Sequence, residues 1–151
     1  MKNNEAVIKF EEYIVEKMSY NINKYFDPIE NKSLEIEFNF ESEVYLYDDF
    51  FSISLYTLVG EESNNQCPFL IDVEMIGVFT YNGMSLKEIE NFIPNGLAVL
   101  FPYLRSLVSD LSARSNTFPV YRLPLLNLIS YMENEEKIKI YDKRIDSEAS
   151  D

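Results

Sequence analysis

Hydrophobic residues in this chain change their spacing at Gly83. Before it, apolar side chains alternate with polar ones; after it, they recur every three or four residues. The first spacing sets one face of an extended strand against a core, and the second builds an apolar stripe along a helix. Strands followed by helices lead to an α+β fold, an antiparallel sheet with helices on one face.

Four segments carry the strand spacing. Residues 6–22 mix Ile8, Phe10, Met18, Tyr20 and Ile22 in alternation with helix-favouring Glu11, Glu12, Glu16 and Lys17. We read them as one long bent strand with a bulge in "EEYIV". A turn-rich connection pinned by Asp27-Pro28 follows. In "LEIEFNFE", Leu34, Ile36, Phe38 and Phe40 oppose Glu35, Glu37 and Asn39, as in a half-buried strand. The third segment sets Phe51, Ile53, Leu55 and Thr57 against Phe50, Ser52, Ser54 and Tyr56, and "PFLIDVEMIGVFTY" is the fourth.

Beyond Gly83, Ser85 and Glu88 have the spacing of a capping box. Pro94 is expected to close a first helical piece, with a longer helix starting near Asn95 and Pro102 near its first turn. Its stripe comprises Leu97, Leu100, Phe101, Leu104, Leu107, Val108 and Leu111. An intrachain core explains that stripe first; its breadth also suits burial between subunits. "LLNLISYMENEEK" reads as a short amphipathic helix. The expected organisation is one domain over residues 1–133 and an acidic, disordered tail over 134–151.

Composition restricts the chemistry. The chain has 151 residues, a net charge of −13 and no histidine. Such charge repels phosphate backbones, and the thirteen Lys and Arg are scattered, so nucleic acid is not an expected partner. The charge serves solubility alone or favours a basic partner. Without histidine, Ser-His-Asp and Cys-His arrangements are impossible and a typical zinc site is implausible. With four glycines and no GxGxxG or GxxxxGK, a nucleotide-phosphate cradle lacks support. The single cysteine, Cys67, reads as a spectator thiol, and Asp48-Asp49 as a strand start rather than a carboxylate dyad. No enzyme activity, cofactor or metal is expected. The N-terminus lacks a signal-peptide core and no run is long enough to span a membrane, so the expected location is cytoplasmic.

The residues "FLIDVEMIGVF" (69–79), "NGLAVLFPYLRSLVSDLSARSNTFP" (95–119) and "LPLLNL" resemble the SecB family of bacterial protein-export chaperones. Pro94-Asn95, Leu100 to Tyr103, Arg105, Arg114 and Phe118-Pro119 match the family motifs in type and order. The likeness covers about residues 6–133 and is strongest over 69–128. It implies a four-stranded antiparallel sheet with a long helix and a short C-terminal helix on one face, assembled as a dimer of dimers. The stripe from Leu97 to Leu111 would then pack on its own sheet and also lie at the subunit interface.

The resemblance further implies an ATP-independent holdase that binds unfolded or pre-secretory polypeptides in hydrophobic grooves and delivers them to the SecA motor. Candidate groove residues are Tyr20, Tyr25, Phe26, Ile29, Ile36, Phe38, Phe40, Leu126, Ile129 and Met132. Export-type members present acidic residues on the sheet face to SecA; Asp72 keeps one of these, whereas Lys17 and Asn21 replace others. Asn116 stands where the family has glycine, which requires a left-handed backbone there. These departures keep open a solitary SecB-like chaperone that protects the antitoxin of a toxin–antitoxin system. An adaptor for a folded partner is the reading from outside the chaperone class.

Overall fold

Alternation before Gly83 becomes four antiparallel strands: β1 (Val7–Ile22), β2 (Phe38–Leu46), β3 (Phe50–Gly60) and β4 (Phe69–Asn82). They are followed by α1 (Leu86–Ser115), α2 (Leu128–Asn134) and a fifth strand, β5 (Ile138–Asp142). The computed structural model describes residues 7–30, 36–63, 65–124, 127–134 and 136–145. The sheet order is β1-β4-β3-β2-β5, with β5 parallel to β2.

The inner face of the sheet carries the core. Phe51, Ile53, Leu55 and Thr57 of β3 are buried, as are Phe69, Ile71, Val73, Met75 and Phe79 of β4. β1 reaches this face through two bulges, between Phe10 and Glu12 and between Val15 and Lys17. Phe10, Val15 and Tyr20 stand five apart, yet they pair with Phe79, Met75 and Ile71, which stand four apart. Each bulge inserts one residue, Glu11 or Glu16, and so keeps the apolar set facing inward.

The expected break at Pro94 does not occur. α1 is one helix of 30 residues with Pro94 and Pro102 inside it. Proline removes an amide and frees the carbonyl four residues earlier. Here those carbonyls belong to Glu90 and Ala98, both exposed, so water can bond them. The buried stripe runs without interruption through Ile89, Ile93, Leu97, Leu100, Leu104 and Val108, which outweighs the prolines. The capping box forms: Ser85 Oγ accepts from the Glu88 amide at 3.2 Å, and Glu88 Oε1 accepts from the Ser85 amide at 3.1 Å. Asn116 closes the helix at φ 53°, in the left-handed region.

The count of four strands also needs correction. Residues 138–142, within the segment expected to be tail, form β5 on the outer edge of β2. Five residues with two charges give too short an alternation to stand out from a charged C-terminus. Its far end is fixed by Arg144, whose Nε and Nη2 donate to Asp142 Oδ1 and Oδ2 at 3.0 and 2.9 Å.

α1 approaches the sheet closely at two glycines. A Cβ on Gly77 of β4 would lie 2.7 Å from Leu100 Cδ2, and one on Gly96 of α1 would lie 2.5 Å from Ile53 Cδ1. Gly77→Ala should therefore lower stability by about 1–3 kcal/mol in urea unfolding, from overpacking. Combined with Leu100→Ala it should lose less than the sum of the single changes.

The hydrogen bond from Arg144 holds Asp142 below its ordinary carboxylate range, against the opposing effect of burial. A depressed pKa contributes stability present above the unfolded value and lost as pH falls through the folded one. Asp142→Asn should thus be less stable than wild type at neutral pH, by about 1 kcal/mol for a part-buried pair near the surface. The gap in urea midpoint should close below about pH 4.

Candidate functional site

The connection after β1 is shaped by two polar side chains. Buried Asn23 donates through Nδ2 to the Cys67 carbonyl at 2.7 Å and accepts the Tyr25 amide at 3.0 Å. Asp27 Oδ1 accepts the Ile29 amide at 2.9 Å, and the Asp27 amide donates to the Asn65 carbonyl at 3.1 Å. Turns of this kind tie the connection to the β3–β4 turn and leave its own apolar residues outside. Tyr25 is 76% exposed and Ile29 80%. Phe26 instead meets Phe118 edge-on at 5.8 Å. Phe118 continues to Phe69, which also packs on Tyr20 and Tyr121.

A second aromatic group lies under α2. Phe40 contacts Phe38, Phe101 and Tyr131, with ring centroids 5.4–5.9 Å apart. Tyr131 donates its hydroxyl to Asn39 Oδ1 at 3.0 Å, which fixes α2 against the start of β2. Phe38 and Ile36 are half-buried, whereas Phe40 and Met132 have no exposed surface within the protomer. Leu126 and the side chain of Ile129 lie outside the described residues. The structure thus gathers Tyr20 and Phe26 at one cluster and Phe38, Phe40 and Met132 near the other, with Tyr25 and Ile29 projecting beside the first.

Of the residues assigned to a subunit interface, Leu97, Leu100, Leu104 and Val108 are completely buried in the protomer, and Phe101 nearly so. Leu107 and Leu111 are partly buried. The apolar surface still open near α1 belongs to Val99 and Tyr103, and the Tyr103 ring lies tilted against Tyr13 of β1 with centroids 4.5 Å apart. Val7, Ile14, Met18 and Ile22 continue exposed apolar surface along β1, which has a free edge.

The opposite, outer face of the sheet carries the charged groups, alongside apolar Ile14, Leu58, Leu70 and Ile76. Lys17, in register with Glu74, donates to Asp72 Oδ2 at 2.5 Å. That bond, with the charge of Asp72, raises the Lys17 pKa above its ordinary value. Asn21 lies opposite Leu70 on the same face. Tyr56 donates to Glu43 Oε1 at 2.8 Å; burial first, then this bond, holds its phenol in the neutral form. Glu41, Glu43, Tyr56, Asp72 and Lys137 line an open depression of about 660 Å³.

No three His, Cys, Asp or Glu among the described residues are placed to hold a metal ion. Cys67 is buried, with Sγ 3.3 Å from the Phe69 carbonyl. Asp48 accepts the Ile145 amide and so anchors the chain after β5. No helix among the described residues is long and apolar enough to cross a membrane. The arrangement offers apolar contact and charge, and the sequence reading missed Phe118, Tyr121 and Tyr131 as members of it. Phe118 and Tyr121 sit in a connection without periodicity, where the signal is a pair of aromatics flanking Pro119.

Comparison with known proteins gives a consistent answer. Residues 2–137 match the family described as preprotein translocase subunit SecB. An uncharacterized protein of Methanocaldococcus jannaschii is 27% identical over 139 residues, 89% of this chain and 88% of that one. The protein-export protein SecB of Methylococcus capsulatus is 29% identical over 66% of this chain and 65% of its own length. That of Paraburkholderia phymatum is 30% identical over 69% and 66%. Among solved structures, the Mycobacterium tuberculosis Rv1957 SecB-like chaperone, in complex with a ChAD peptide from the Rv1956 HigA1 antitoxin, superposes with a TM-score of 0.66. Identity there is 20%, covering 79% of this chain and 90% of that one. By its sequence and by its fold, the chain belongs to the SecB family of chaperones.

Proposed function

We propose that this protein is an ATP-independent holdase that binds extended segments of unfolded polypeptides. The observation that carries the reading is the connection after β1, where Tyr25 and Ile29 stand in solvent beside the Tyr20, Phe26, Phe69 and Phe118 cluster. Exposed apolar side chains of that size mark an interaction surface, and the neighbouring rings give a client side chain apolar walls to pack on. The surrounding net negative charge keeps a chaperone–client complex soluble. Clients engage Tyr20, Tyr25, Phe26, Ile29, Ile36 and Phe38 first; Leu126 and Ile129 are counted among the client residues on the family resemblance alone.

Delivery of pre-secretory clients to SecA is the general form of this activity, with Asp72 as the acidic contact. A specific observation favours the second form, a chaperone dedicated to one client such as an antitoxin. Lys17 already occupies Asp72 and neutralises the acidic residue that a basic motor tail would seek. The structural neighbour from Mycobacterium tuberculosis was solved with an antitoxin peptide, which supports the same direction. The working assembly on this reading is a homotetramer, a dimer of dimers. Its contacts fall to the β1 edge and the exposed side of α1, since most of the α1 stripe is spent on the protomer's own sheet.

Tyr25→Ser with Ile29→Ser removes exposed apolar surface without opening a cavity. The double variant should keep the wild-type melting temperature and require several-fold more protein to suppress aggregation of a chemically denatured test protein. Unchanged suppression would move the client surface away from this connection. Met18→Asp with Tyr103→Asp should lower the particle mass in light scattering and leave the far-ultraviolet circular dichroism intact. An unaltered mass would exclude the β1 edge and this side of α1 from the interface.

A further inference from the structure

β5 is attached to the sheet in a way unlike the other strands. It runs parallel to β2, pairs Ser42, Glu43, Val44, Tyr45 and Leu46 with Ile138, Lys139, Ile140, Tyr141 and Asp142, and stays largely exposed. Ile140 is 38% exposed and Tyr141 36%. A five-residue strand at a sheet edge makes few contacts, and parallel pairing is slightly weaker per residue than antiparallel.

Each β5 side chain meets a distinct surface. Ile138 and Ile140 face the inner side beside Ser42 and Val44; Lys139 and Tyr141 face outward beside Glu43 and Tyr45. Tyr141 stacks on Tyr45 with centroids 5.0 Å apart and planes inclined by 17°. Lys137, just before the strand, reaches Glu41 at 3.8 Å. The β2 edge therefore has an order of preferences: apolar, basic, apolar, aromatic. The fit at its first position is incomplete, because Ser42 Oγ is buried opposite Ile138 with no hydrogen-bond partner.

We propose that the β2 edge is a strand-addition site for basic, apolar client segments, and that β5 is an internal stand-in which a client displaces. An incoming segment would run parallel to β2 and form the same main-chain ladder. Its lysine or arginine would sit opposite Glu43, and its aromatic residue on Tyr45. A serine or threonine at the Ile138 position would give Ser42 the partner it lacks. This proposal rests on the holdase reading above and names the client class it selects: short, positively charged stretches with alternating apolar residues.

The test uses the full chain and a fluorescein-labelled peptide of residues 137–145, KIKIYDKRI, supplied in trans. In a parallel ladder alternate amides face the partner strand, and the register aims the Tyr141 amide at β2. Tyr141→Pro removes that donor and the stack, and should bind the peptide at least tenfold more tightly than wild type by fluorescence anisotropy. Tyr141→Ala, which keeps the donor, should show a smaller gain. Hydrogen exchange should register protection of the Ser42 amide, which donates to the Lys137 carbonyl at 2.9 Å in the resident arrangement. A peptide with glutamate at its third position should bind several-fold more weakly. Equal affinity of wild type and both variants, or binding that leaves the Ser42 amide unprotected in Tyr141→Pro, would overturn the proposal. Aggregation suppression by the same variants separates the two readings. If it persists while peptide affinity is unaltered, the edge site falls and the holdase stands; if the peptide binds as expected without suppression, the edge site stands and the holdase falls.

Discussion

The architecture depends on how closely α1 lies against the sheet. Gly77 and Gly96 sit on opposite sides of that contact, and each receives a side chain from across it, Leu100 and Ile53 respectively. Interiors are packed to near-crystalline density, so a helix held off by even one methyl group would leave a row of underfilled space. The close approach lets one helix seal most of the inner face with a single stripe of residues. It also explains why two prolines are tolerated: the burial gained along Ile89 to Val108 exceeds what the helix loses at two water-facing carbonyls.

The same geometry divides the surface into regions with different properties. The inner face is largely consumed by the protomer's own core, and its aromatic residues surface at the connection after β1, around α2 and at Tyr13 and Tyr103. The outer face holds a charged group, with Lys17 bonded to Asp72 and Tyr56 to Glu43, among apolar residues such as Leu58 and Leu70. Exposed apolar side chains gather at the β1 edge, the adjoining side of α1 and the tip bearing Tyr25 and Ile29, with others at Leu58, Val120 and along β5. Such segregation suits a protein that must offer greasy surface without self-association across its whole sheet.

Much of this was legible from residue order, for identifiable reasons. The β4 alternation, the Ser85–Glu88 box and the left-handed Asn116 follow from local chemistry that tertiary packing then supports. The bulge in "EEYIV" was visible because the alternation of Ile8 and Phe10 is interrupted there before it resumes at Met18 and Tyr20; a second, at Glu16, lay just beyond it. Pro94 misled because its local penalty is independent of whether the freed carbonyl points to water, which only the folded helix decides. β5 was missed because an edge strand is specified by its partner, β2, more than by its own five residues. The apolar character of Phe40 and Met132 was plain, but not whether their own chain would cover them; the protomer core does so completely. Conversely, Phe118 and Tyr121 gained meaning only once Phe69 stood beside them.

The parallel pairing of β5 has a bearing on biosynthesis. A ribosome releases β2 before β3, β4 and both helices, whereas its outer neighbour emerges only after them. Throughout that interval the nascent sheet presents an unpaired margin, the kind of template on which other chains readily stack. Glu41 and Glu43 project from that margin, and their like charge repels a second copy of the same ribbon. Carboxylates positioned there would shield the growing polypeptide from its siblings on the polysome until β5 arrives.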